Sequence, residues 1–178
     1  MVLTPEMLGA ADLGGINVHA ALLPQYRGAN TLNWTVINGE RESGVTIHQM
    51  TPVLDAGDIL ARCVCPVEAT DTSLTLRTKL EALAEETIPE VLSKLRSGAI
   101  RGEPQDESMA KRWPPRRPED GMIDWSWPAV RIYDLIRGLV SPWPGAYYFD
   151  PRGRKIVIDR FLPLREVERL QTEALSRR

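Results

Sequence analysis

Between Gly44 and Ser97 the hydrophobic residues of this chain change period, and that change constrains the fold more than any other feature. In Gly44–Met50, Val45, Ile47 and Gln49 alternate with Thr46, His48 and Met50, the two-residue rhythm of a strand. Residues 59–67 are again apolar, with Val64 and Val67, and read as a second strand. From Leu74 to Ser97 the rhythm lengthens: Leu76, Leu80, Leu83, Ala84, Ile88, Val91, Leu92 and Leu95 recur every three or four residues. This is a long helix with one apolar face, capped by Asp71-Thr72-Ser73 and closed by Ser97-Gly98. Pro89 is expected to kink it or split it in two. Two strands followed by a long helix make an α/β fold.

The flanking segments are shorter. Thr4-Pro5-Glu6 starts a helix, Gly14-Gly15 breaks the pattern, and residues 16–20 alternate as a short strand. Leu23-Pro24-Gln25-Tyr26-Arg27-Gly28 is a loop, and residues 31–38 a helix closed by Asn38-Gly39. Residues 102–120 are polar and rich in proline and arginine, the composition of a linker. A helix is expected over residues 128–140 and a hairpin over 146–149 and 155–161, turning at Asp150-Pro151-Arg152-Gly153. A last helix spans residues 164–178, with Val167, Leu170 and Leu175 inward. Cys63 and Cys65 share one face of a strand and read as buried structural thiols, since a lone C-x-C without a second Cys/His pair is weak evidence for a metal.

Composition narrows the function. The 178 residues carry a net charge of −2, which argues against nucleic acid as the main ligand. At 43% hydrophobic and 26% charged the chain has enough apolar residues to fold without staples. No apolar run approaches the ~20 residues that span a bilayer, and residues 1–14 lack the pattern of a signal peptide, so a cytoplasmic location is expected.

Asn17 and His19 are two residues apart at a strand end and project the same way. Asp55, in the loop between two strands, could reach the same crevice. A histidine with a carboxylate partner is a general acid–base unit, and a neighbouring asparagine can donate to a developing oxyanion. No serine or cysteine nucleophile stands nearby, which favours direct transfer over a covalent intermediate. The other histidine, His48, lies mid-strand with no evident partner and reads as structural or exposed. A metal site built on His19, His48, Asp55 and Cys63 has no H-x-H or H-x-x-x-H pair to support it.

The segment Asn17-Val18-His19-Ala20-Ala21-Leu22-Leu23-Pro24-Gln25-Tyr26-Arg27-Gly28 resembles the N-x-H-x-S-L-L-P-x-Y-R-G signature of the 10-formyltetrahydrofolate-dependent formyltransferases, which include the methionyl-tRNA and sugar N-formyltransferases. The resemblance continues through Gly44–Met50, Leu54-Asp55-Ala56-Gly57-Asp58, Arg117-Pro118-Glu119-Asp120-Gly121, Ile123-Asp124-Trp125 and Pro142-Trp143-Pro144-Gly145. It implies a partial Rossmann-like formyltransferase core (residues 1–110) with a linker, helix and short C-terminal β-hairpin/helix extension (111–178). It also implies a chain truncated at its N-terminus relative to the family, because about 16 residues precede Asn17. By the same resemblance Asn17 stabilises an oxyanion, His19 moves protons between the amine and the folate, and Asp55 orients His19. Ala21, Leu22, Leu23 and Pro24 correspond to the folate-binding S-L-L-P segment, with Ala21 in place of serine. Thr51, Pro52, Val53, Leu54 and Asp55 correspond to the loop that holds the pterin. The formyl donor is then 10-formyltetrahydrofolate. The acceptor is a small amine, a nucleotide-linked amino sugar in preference to methionyl-tRNA, since neither net charge nor the short C-terminal part favours tRNA. The alternative is a non-catalytic paralogue acting as a binding module, with homodimer formation through exposed sheet edges.

Overall fold

The computed structural model describes residues 4–176. The described residues form two compact units that interleave in sequence: residues 4–31, 42–66 and 77–115 make the first, and 32–41, 67–76 and 116–176 the second.

The first unit opens with α1 (Pro5–Leu8), where Pro5 takes the first helical position and Thr4 Oγ1 accepts the Met7 N–H. Its sheet holds β1 (Ile16–His19), β3 (Glu42–Gln49) and β4 (Ile59–Pro66) in the order β1-β3-β4, both pairings antiparallel. The central β3 is buried from Ser43 to His48, so both its faces are covered. One face is apolar, with Val45 and Ile47; on it Cys63, opposite Val45, meets Thr87 of α3 (Ser73–Arg96), Sγ to Oγ1 3.1 Å. Leu76, Leu80 and Val91 are the buried apolar positions of that helix, as its period predicts. Of the two outcomes expected at Pro89, the split does not occur: the helix continues through it. Cys63 and Cys65 do share a face, but both are half-buried rather than buried, and neither is in a disulfide.

The other face of β3 is polar. Asn17 stands opposite His48 and His19 opposite Thr46, so all four side chains lie on one side of the sheet. Thr46 donates its hydroxyl to Ala21 O (2.7 Å) and accepts Leu23 N–H (3.1 Å), which draws the loop after β1 across this face. The register of β3 against β4 slips between Ile47 and His48, and such bulges re-aim side chains beside functional sites.

Residues 102–115 are not a free linker. Glu103 and Ile59 exchange two main-chain hydrogen bonds, and β5 (Arg112–Trp113) pairs in parallel with β2 (Arg27–Gly28). Composition reports side-chain exposure, which is high here, whereas the main chain of this segment is paired.

The second unit contains α2 (Thr31–Ile37, all but Thr31), α4 (Ala129–Gly138), the hairpin β6 (Ala146–Phe149)/β7 (Lys155–Ile158) and α5 (Leu164–Leu175). Gly39 ends α2 at φ 68°, the left-handed cap the Asn38-Gly39 pair predicts. The core packs Ile123, Trp125, Ile132, Leu135, Ile136 and Val167. Arg137 is buried yet hydrogen-bonded, donating to Asp134 Oδ1 and Asp71 O at 2.7 Å each. In α5, Val167 is inward as expected, but Leu175 is exposed. Arg177 and Arg178, included in the expected helix, lie outside the described residues.

Candidate active site

The sheet register and one loop bring Asn17, His19, His48 and Asp55 together in the first unit. Asn17 and His19 come from β1, and His48 from the bulged end of β3. Asp55 follows the exposed loop Thr51–Leu54 and sits in the left-handed region at φ 55°. The residue is 6% exposed, and its Oδ2 accepts the Gly28 N–H at 2.8 Å. The second oxygen, Oδ1, faces both histidines, 3.8 Å from His19 Nδ1 and 3.8 Å from His48 Nε2.

The proton positions follow from the partners. A carbonyl oxygen only accepts, so His19 Nε2–H donates to Tyr26 O at 2.6 Å. The nitrogen left to exchange a proton is Nδ1, beside Asp55. In the same way His48 Nδ1–H donates to Gln49 O at 2.8 Å. His48 Nε2 is then an acceptor for Asn17 Nδ2–H at 3.2 Å. Burial pushes the His48 pKa below its ordinary value of 6.5, against the opposing pull of the Gln49 carbonyl and Asp55. A neutral His48 thus holds the Asn17 carboxamide and leaves its second N–H to point elsewhere. His48 belongs to this cluster although the sequence offered no partner for it. Parity puts it with Thr46 on the face opposite Val45 and Ile47, but the register that sets Asn17 opposite it comes from the pairing of β1 with β3.

The residues expected to bind folate fall into two groups. Ala21, Leu23 and Pro24 are buried, and their main-chain groups are largely used: Ala21 O and Leu23 N by Thr46, Leu23 O by Arg62 (2.8 Å), Pro24 O by Lys111 N (3.1 Å). This segment braces the site, and Leu22 is its half-exposed member. Thr51, Pro52, Val53 and Leu54 are open to solvent, with Val53 65% exposed. Next to them is an open cavity of about 410 Å³ lined by Gly28, Ala29, Leu54, Arg112, Trp113 and Pro114–Pro115. A smaller cavity of about 260 Å³, between Trp125, Tyr148 and Leu170, lies in the second unit and contains none of the four cluster residues.

A buried carboxylate, a histidine with one exchangeable nitrogen and an anchored carboxamide, set on an α/β scaffold, define an acid–base site able to assist direct transfer. Residues 1–92 match the family model described as formyl transferase, and residues 116–169 match that of the formyl transferase C-terminal domain. The chain belongs to the formyltransferase family.

Solved structures give the same fold. A sugar N-formyltransferase from Shewanella shares 23% identity at a TM-score of 0.69, over 83% of this chain and 61% of that one. The N-formyltransferase of Helicobacter canadensis, crystallised with folinic acid and dTDP-3-aminofucose, matches at 22% and 0.67 over 70% of this chain and 47% of its own. HypX of Aquifex aeolicus in complex with tetrahydrofolic acid matches at 24% and 0.68, over 80% and 24%. The chain therefore spans less than two thirds of the length of each of these relatives.

Proposed function

We propose that this chain transfers the formyl group of 10-formyltetrahydrofolate to the primary amine of a small acceptor, a nucleotide-linked amino sugar, in the cytoplasm. The observation that carries the reading is the convergence of Asn17, His19 and Asp55 at a site where His19 Nδ1 is the exchangeable nitrogen. As the acceptor amine attacks the formyl carbon, His19 Nδ1 takes the proton the amine must lose. It then returns that proton to the folate nitrogen as the carbon–nitrogen bond to folate breaks. Asp55 stabilises the transient imidazolium from 3.8 Å. The Asn17 N–H not used by His48 donates to the oxyanion.

The exposed Thr51–Leu54 loop offers main-chain groups to a flat heterocycle, and the adjoining cavity suits the acceptor. Lys111 and Arg112 are exposed near it and would attract a diphosphate. The Shewanella and Helicobacter relatives support a sugar acceptor, while the likeness to HypX supports folate binding without choosing the acceptor. The test is formyl transfer to a panel of dTDP- and UDP-linked amino sugars beside methionyl-tRNA. Turnover with an amino sugar supports the reading, and turnover with methionyl-tRNA alone overturns the choice of acceptor. Failure to bind folinic acid overturns the donor.

A further inference from the structure

We propose that Gln105 is the positioning residue of the site, locking the turn that aims Asp55 at the histidines; the functional weight of this rests on the acid–base role proposed above. Asp55 is a non-glycine residue held at φ 55°. Such a conformation persists where the surroundings over-determine it. Here one carboxamide holds the main chain of the turn. Gln105 Nε2 donates to Asp55 O at 2.8 Å and to Gly57 O at 2.7 Å, clamping both ends of the turn. Gln105 Oε1 accepts from Arg27 Nε at 3.0 Å and from a terminal guanidinium nitrogen at 2.8 Å. Carbonyls only accept and a guanidinium only donates, so the amide has one orientation and its full hydrogen-bonding capacity is used.

The network closes on itself. Arg27, itself paired with Glu107 at 2.7 Å, precedes Gly28, whose N–H holds the Asp55 carboxylate. Gln105 thus ties the main chain of Asp55 to the same short strand that grips its side chain. The Glu103–Ile59 hydrogen bonds, two residues away, fix Gln105 in turn. Gln105 touches no reacting atom; it acts through Asp55.

Two variants of the full chain test this. Gln105→Met keeps the side-chain size without donors or acceptor. Gln105→Glu keeps the acceptor for Arg27 but loses both donors. In each, hydrogen exchange at the Gly28 amide is expected to quicken about tenfold, while the β3–β4 amides of Val45 and Cys63 keep their protection. The kcat for formyl transfer is expected to fall about tenfold or more, with KM for the donor within about twofold. Gly28 exchange equal to the parent in both variants overturns the proposal. So does a Gln105→Glu protein that matches the parent, since the role would then lie with Arg27. Equal loss of protection in β3–β4 also overturns it, by showing a general structural role. If the parent transfers no formyl group, the functional reading fails while the Gly28 exchange still decides what Gln105 holds.

Discussion

Two histidines share one carboxylate oxygen in this site, and their hydrogen bonds give them different work. His19 has Nε2 tied to Tyr26 and Nδ1 facing Asp55, which leaves it one exchangeable position. His48 is kept neutral by burial and serves as an acceptor for Asn17. Because its folded pKa lies below the unfolded value of about 6.5, the unfolded chain binds a proton first as pH falls. The stability it contributes is therefore complete above that value and is lost as pH drops through the lowered one. Urea midpoints measured from about pH 7.5 down to about pH 5 should fall for the parent and fall less for His48→Gln. Strand parity was enough to place Asn17 and His19 on one face. It could not reveal the partner of His48, because the pairing of β1 with β3 spans about thirty residues of sequence and its register is set by packing.

At the level of elements, the period of the hydrophobic residues located β3, β4, α3 and α4 to within a few residues, because each buries a regular stripe. What it missed is held by main-chain pairing and leaves no such stripe. The strand pair β2–β5 is two residues long, and one partner lies in a stretch whose prolines and arginines read as a linker. Its tightness rests on Gly28, which has φ 110° and would place a Cβ 2.2 Å from Trp113 O. Gly28→Ala combines strain with that clash and should cost about 3 kcal/mol in urea unfolding. At Pro89 the helix is not split but continues, with Leu80 before it and Val91 after it both buried.

At the scale of the molecule, the chain divides into two compact units, and the four clustered side chains all belong to the first. In the second, Ile132 is fully buried, and Ile132→Ala should destabilise by about 3 kcal/mol, read from tryptophan fluorescence during unfolding. The family was legible from ordered motifs spread over the chain, and the family models match residues 1–92 and 116–169. The acceptor was not, because the residues that choose it are not fixed by those motifs. The most direct test of the whole account is the rate of formyl transfer from 10-formyltetrahydrofolate to an amino-sugar nucleotide by the parent and by His19→Ala. The account predicts turnover by the parent and a loss of about 100-fold or more in the variant, with the fold retained. A variant as active as its parent would contradict it.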